Sequence, residues 1–350
     1  MDSLDLIQEL AETFGVAGFE EDIRALLLRK LEGRVDRVEV DTLGNILAYR
    51  RGKSRKRLLL DAHMDEVGLV VSHVDAHGFL RVVPVGGWDP RILPGTPVQL
   101  RPEPGRYLYG VIGTVPPHVL TPEDRKKPVD FPDLFVDIGV GSREEAEALG
   151  IVPGTPLVPY VPARRLGPDL LMAKALDDRL GCALILQLLD RLTEPTPYDL
   201  VLSFSVSEEL GLRGARVLVA QTQPDVALAI EGTGAADIPG VPEEKCPSRF
   251  RRGPVITRLD KSIVVPHRMV QALARAAEEA GVPYQFKKPI FGGTNAGALH
   301  LSGKGVLAGV VSVPARYIHS PVSVVYRPDF DHTLQLVETF VRRIDRYLEE

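Results

Sequence analysis

Two histidines and a series of carboxylates stand where this chain could do chemistry. The stretch RLLLDAHMDEVGLVV, residues 57–71, sets His63, Asp65 and Glu66 between two apolar runs. Asp177 and Asp178 open a helical run, Glu208 and Glu209 follow the apolar stretch YDLVLSFSV, Glu231 follows VALAI, and His319 comes last. A single histidine past a strand is usually a satisfied structural residue, and adjacent acids usually begin a solvated helix. Their repeated appearance at strand exits and helix starts points instead to one shared site, because ligands of open α/β sheets collect beyond the carboxyl ends of the strands. Imidazole nitrogens and carboxylate oxygens, with one carboxylate able to bridge, make the donor set of a two-metal hydrolytic centre. His63 and Asp65 are two residues apart in an extended segment and point the same way, so Asp65 is expected to accept the second imidazole N–H and fix the tautomer.

The elements that must position these groups follow from periodicity. Leu4, Ile7, Leu10 and Phe14 recur at helical spacing, and EEDIRALLLRKLEG repeats the pattern until Gly33 stops it. VDRVEVDTLGNILAYR alternates and turns at Leu43 to Asn45, predicting a hairpin before the apolar strand Leu58 to Leu60. From about 72 to about 162 helical periodicity nearly vanishes, and Pro, Gly and short Val-rich strands such as FLRVVPV and YLYGVIGTV take over. Only SREEAEALG reads as helix there, with Ser142 as its cap. Helix and strand then alternate again through DDRLGCALILQLLDRL, YDLVLSFSV, LRGARVLVAQ and VALAI. The expected fold is α/β: a helix-flanked, largely parallel mixed sheet formed by residues 1–71 and 163–350, with a β-rich domain, 72–162, inserted into it.

Composition narrows the function classes. The 350 residues are 44% apolar and 25% charged, enough for a sizeable core. A formal charge of −5 argues against a general nucleic-acid binder, and the basic run RRGKSRKR at 50–57 reads as a solvated hairpin turn. No stretch approaches the roughly 20 apolar residues of a bilayer span, and MDSLDLIQELAETF lacks the order of a signal peptide, so a cytoplasmic protein is expected with no membrane or nucleic-acid partner. Cys182 and Cys246 make no metal-finger spacing, and Cys182 reads as core.

In order and spacing, DAHMDEVG, KALDDRLGCA, SEELGLRGA, IEGTGAADIPG, FGGTNAGALH and ARYIHSPVSVV resemble the M42 family of dinuclear metallo-aminopeptidases, the tetrahedral (TET) and glutamyl aminopeptidase group. The resemblance covers nearly the whole chain. It implies that Asp177 bridges two divalent ions, zinc or cobalt, that His63 and Glu231 complete one, that Glu209 and His319 complete the other, and that Glu208 is the general base. GGWDP and LFVDIGVGS resemble that family's PDZ-like dimerisation domain. The implied protein cleaves short peptides with a free N-terminus and self-associates through the insertion into a dodecamer. The chain departs from the commonest pattern at Glu231 and at Asn295, where many relatives carry Asp. The loop Gly292, Gly293, Thr294 and Asn295 is expected near the substrate pocket. The loss of a negative charge there weakens any case for a basic-residue preference.

Three other readings compete. A glycoside hydrolase, a label given to some endoglucanase-named relatives, needs two carboxyl groups across a sugar ring and neither metal nor histidine. A non-catalytic binding module would be expected to have lost Glu208 or a ligand. A related-fold deacylase or carboxypeptidase needs a cationic clamp for a substrate carboxylate, for which Arg179 and Arg316 are available. Among the remaining histidines, only His118, in VPPHVL, stands in a context that could reach a site; His73, His77, His267, His300 and His332 read mostly as surface residues.

Overall fold

The computed structural model describes residues 2–288 and 292–349. Four parallel strands form the centre of an eleven-stranded mixed sheet, in the spatial order Asp199–Ser205, Arg57–His63, Val226–Gly234 and Leu307–Arg316. These strands are buried almost end to end, which is why their sequences read as continuous apolar runs and do not alternate. Antiparallel strands continue the sheet on both sides: Ile46–Arg50 and Arg37–Val40 on one, Ser323–Tyr326, Leu170–Ala173 and Arg164–Arg165 on the other. The hairpin turn between the first two is held by Asp41, whose Oδ1 accepts the backbone N–H groups of Leu43, Gly44 and Asn45.

Helix Leu176–Arg191 packs on the His63 and Glu231 strands and against helices Ser3–Glu12 and Arg327–Arg342. Helix His267–Ala280 buries Met269, Val270, Leu273, Ala276 and Ala277 on one face and ends at Gly281, whose positive φ of 67° forms its cap. A single apolar cluster runs through these helices and the sheet.

Strands Gly68–Val74, Leu80–Val85, Phe135–Asp137, Arg106–Gly113, Pro97–Glu103 and Pro156–Pro159 close into a six-stranded antiparallel barrel in that order. The barrel has its own core, including Leu69, Leu80, Val98, Leu100, Ile112 and Leu157. Its first strand starts at Gly68, inside the apolar run that follows Glu66, whereas the change of composition falls at about 72. A small cluster of Phe14, Val16, Ala17, Val85 and Val158 joins the barrel to the larger body, reinforced by Arg101 between Glu21 and Asp22 and by the Tyr107 hydroxyl donating to Asp22 at 2.6 Å. Among the described residues no helix is long and apolar enough to cross a membrane.

Candidate metal centre

Register brings the acids and histidines together. His63 lies across from Ser205 on one neighbouring strand, and Glu231, two residues beyond the Ala229 that pairs with Asp61, lies across from Ser312 on the next. One row at the carboxyl end of the sheet therefore carries His63 and Glu231 side by side. Asp177 reaches the same point from the start of the long helix, where it and Asp178 depart from helical geometry across a cis peptide. Glu208 and Glu209 come from the turn after the Ser205 strand, and His319 from the loop after Arg316.

Asp177 stands between the two histidines. Its Oδ1 lies 3.4 Å from His63 Nε2 and its Oδ2 lies 3.5 Å from His319 Nε2. Glu231 Oε2 is 3.7 Å from His63 Nε2, and Glu209 Oε1 is 3.3 Å from His319 Nε2. Those gaps match the edge of a coordination tetrahedron: metal–ligand bonds of about 2.1 Å set neighbouring ligand atoms about 3.4 Å apart. Glu208 takes no part in these pairings but lies within 4.8 Å of His63 and Glu209. Asp178, also within 4.8 Å of His63 and Glu231, is fully buried; its Oδ1 accepts the Gly181 N–H, which commits that oxygen to starting the regular helix.

The charge balance fits cations. Burial, and then the neighbouring acids, push Glu208 up to about 8 and Glu209 up to about 7, and burial also raises Glu231 and Asp178. Burial opposes a charge on His319, but its bond to Asp177 and the charge of Glu209 outweigh it and raise the imidazole to about 9. Asp177 is held well below the carboxylate range by the two histidines against its burial. A pocket crowded with buried carboxylates binds protons tightly for want of a better cation.

The support around these groups is built in layers. His63 Nδ1 approaches the Asp65 carbonyl oxygen at 3.2 Å and Asp65 Oδ1 at 3.5 Å. The Asp65 carboxylate accepts the backbone N–H groups of Glu208 and Glu209 at 3.0 and 3.1 Å and so fixes the acids, whereas the nearer partner of the imidazole is the Asp65 main-chain carbonyl and not the carboxylate expected from the sequence. Glu66, the third ionisable residue of the opening stretch, is buried with Lys174, whose Nζ donates to both its oxygens at 2.7 Å, and lies 3.4 Å from Arg179. Arg179 in turn donates to the carbonyls of Leu10 and Thr13 at the end of the first helix. Removing one partner of such a pair costs about 3–5 kcal/mol. Ala175, Ser207 and His319, at or next to the site's side chains, hold positive φ of 53°, 52° and 58°, strain of the kind that gathers at functional sites.

A cleft of about 450 Å³ opens over the centre, lined by His63, Asp177, Glu208, Glu209, Glu231 and His319, though not Asp178, together with Gly292, Gly293, Thr294, Leu212, Ile318 and Lys287, among others. Asn295 does not line it. Its Nδ2 donates to Asp61 and Ser205, both at 2.8 Å, beneath the centre, and its backbone N–H faces Glu231 Oε1 at 3.3 Å. Phe291 of the FGGTNAG motif lies outside the described residues. His118 does not reach the site: it is exposed on a 3₁₀ turn of the barrel, Pro117–Val119. His73, His77 and His267 are exposed, whereas His300 and His332 are half-buried. Both cysteines are free and buried, and Cys182 donates to the His63 carbonyl. The sequence reading missed the Glu66, Lys174 and Arg179 cluster and the carbonyl of Gly87, which lies 2.9 Å from His319 Nδ1. The paired glycines of GGWDP were the available signal for the latter.

A model of the family described as M42 glutamyl aminopeptidase matches residues 44–336. The lysyl aminopeptidase of Pyrococcus furiosus is 33% identical over 346 residues, 97% of this chain and 97% of its own. A TET aminopeptidase from a marine sediment archaeon of the Thaumarchaeota superposes with a TM-score of 0.95 at 35% identity, covering 99% of this chain and 97% of that one. The TET1 peptidase of Pyrococcus horikoshii, which can assemble into a tetrahedron or a large octahedral shell, superposes with a TM-score of 0.86 at 30% identity, covering 97% and 99%. The chain belongs to the M42 peptidase family and is a peptide hydrolase of its aminopeptidase kind.

Proposed function

We propose that this chain releases N-terminal amino acids from short peptides at a centre for two divalent ions, zinc or cobalt, with Glu208 as general base. The observation that carries the reading is Asp177, whose two oxygens face different histidines at 3.4 and 3.5 Å. In this reading His63, Asp177 and Glu231 hold one ion, and Asp177, Glu209 and His319 hold the other. When bound, the ions supply Lewis acidity that activates water and polarises the scissile carbonyl. Nearby cations favour the carboxylate form of Glu208, which then accepts a proton from the attacking water and passes it to the leaving amine. Asp65 positions that carboxylate through the Glu208 and Glu209 N–H groups.

The free amine of the substrate sits against Glu231 and its ion, so a blocked N-terminus forfeits that polar contact in a buried site and is rejected. Gly292, Gly293 and Thr294 form part of the substrate wall, and Asn295 supports Glu231 from behind. The carboxypeptidase alternative loses both of its clamps: Arg179 is fully buried on Glu66 and two carbonyls, and Arg316 is paired with Asp237 over the Phe250 ring.

The barrel is inferred to act as a PDZ-like dimerisation domain within a dodecamer. The shell-forming P. horikoshii relative supports this, as do Tyr109, Val111, Val115, Val119 and Tyr160, exposed in and around the barrel. A cytoplasmic location accords with two unpaired cysteines. Removing metal with a chelator, then restoring zinc or cobalt, should abolish and recover cleavage of a free-amine peptide while the N-acetylated peptide stays intact. Full activity in excess chelator with no metal detectable, or equal turnover of the acetylated peptide, overturns the reading. A stable monomer in light scattering at micromolar concentration overturns only the assembly.

A further inference from the structure

The barrel's rim lies against one side of the candidate metal centre. The turn after strand Leu80–Val85 runs Gly86, Gly87, Trp88, and both glycines lie against the side chains of one half of the site. A Cβ on Gly86, whose φ is +80°, would meet Val67 Cγ1 at 2.6 Å and Glu209 Cβ at 3.3 Å. A Cβ on Gly87 would meet His319 Nδ1 at 3.1 Å. The Gly87 carbonyl lies 2.9 Å from that same nitrogen, and the Trp88 indole N–H donates to the Gly68 carbonyl at 2.9 Å, tying the turn to the first barrel strand. A carbonyl only accepts. His319 must therefore carry a proton on Nδ1, and Nε2 is the nitrogen turned to Asp177 and Glu209. No other hydrogen-bond partner of the His319 ring, among the described residues, does this work, and the residue sits on a loop at positive φ with a third of its side chain exposed.

We propose that the inserted barrel is a positioning element for one half of the metal centre, acting through the Gly87 carbonyl, which sets the tautomer and ring direction of His319. The proposal rests on the reading that His319 Nε2 ligates a metal ion. It gives the insertion a part in the site itself, separate from any part in assembly.

The test is Gly87→Ala in the full chain. Its backbone conformation admits a side chain, and the methyl displaces the imidazole by a few tenths of an ångström. Competition with a chelator, read by elemental analysis, should show one zinc held as in the parent and the other weakened by about 10–100-fold, the range for loss of a ligand's outer partner. The cobalt form should change its visible spectrum, and kcat at limiting metal should fall and recover with added zinc while KM moves little. Trp88→Phe, which frees the turn without adding atoms, should shift the same affinity less, and it carries the test if Gly87→Ala does not fold. In a His319→Ala background, Gly87→Ala should cause no further loss. Unchanged affinity in the single variants, or an equal loss without His319, overturns the proposal. If His319→Ala itself retains both affinities, the ligand reading fails, and the proposal with it.

Discussion

His63 and His319 face the same aspartate from opposite kinds of structure. His63 ends a central parallel strand with 2% of its side chain exposed, beside Glu231 at 5%, and its second nitrogen meets Asp65 of the same segment. His319 rides a loop at positive φ with 34% exposed, and its second nitrogen meets a carbonyl from the inserted barrel. One half of the proposed centre is thus set by sheet register. The other is built from a loop, a turn and a second folding unit. Ligand sets of similar chemistry should therefore differ in affinity and exchange, with the loop-borne half the more labile.

The largest effect is expected at the residue that belongs to neither half. Glu208→Gln keeps shape and hydrogen bonding but cannot accept a proton, so turnover should fall by about 10²–10⁴-fold with both ions retained and substrate binding little changed. Elemental analysis beside steady-state kinetics checks this. If Glu208→Gln loses an ion while Glu209→Gln keeps two and is merely slow, base and ligand are exchanged.

Next come the halves themselves. His63→Ala should lose its ion beyond recovery by added metal and destabilise the fold, since it leaves Glu231 and Asp178 crowded in the core. Glu209→Gln and His319→Ala should each weaken a single ion, and excess zinc should restore part of the activity. Equal rescue of the His63 and His319 variants would erase the distinction between sheet-built and loop-built halves.

What the sequence could reveal follows the same division. Apolar runs ending in His63 and Glu231 are legible because strand burial dictates residue type, and register then delivers both side chains to one edge. Gly87 is not legible in the same way, because its contribution is a carbonyl oxygen that every residue possesses; only the absence of a Cβ leaves a mark. Glu66, Lys174 and Arg179 are ordinary charges until tertiary structure buries them together. The barrel's start at Gly68 is hidden because Gly68 to Val71 continues an apolar stretch, and buried strands of either unit look alike by composition. Asn295 lies in the loop expected near the pocket, yet it turns inward, because its amide N–H finds its acceptors, the Asp61 carboxylate and the Ser205 hydroxyl oxygen, beneath the sheet's edge.

The halves should also be visible in how the metal-free chain responds to pH. Glu209 at about 7, Glu208 at about 8 and His319 at about 9 all hold protons more tightly folded than unfolded, where they release them near 4.5, 4.5 and 6.5. Each raised group contributes stability that is complete below its unfolded value and lost as pH rises through its folded one. The melting temperature of the metal-free chain should therefore fall between about pH 4.5 and 9. Asp177 is shifted the other way and acts only at more acid pH. In the proposed two-ion reading metal takes the place of the protons on Glu209 and His319 and its charge drives off that of Glu208, so the gap between loaded and metal-free melting curves should widen with pH. A metal-free melting temperature that rises across this window would mean that the crowded acids are not protonated in the fold.

The smallest effect concerns the wall of the cleft. Lys287 is the one basic side chain among the described lining residues other than the two histidines, and it is half-buried. A positive charge there favours a substrate whose side chain is acidic over one that is basic, while screening at a partly wet site keeps the gain small. Lys287→Ala should lower the ratio of kcat/KM for glutamyl over lysyl amides by about 2–5-fold, the worth of a solvated ion pair, and leave leucyl amides nearly unchanged. The ratio should fall through KM, because the charge sits on the cleft wall away from the reacting atoms, and added salt should shrink it further in the parent than in the variant. An unchanged ratio places Lys287 out of reach of the first residue, and a fall in kcat shared by all three amides would tie it to the centre itself.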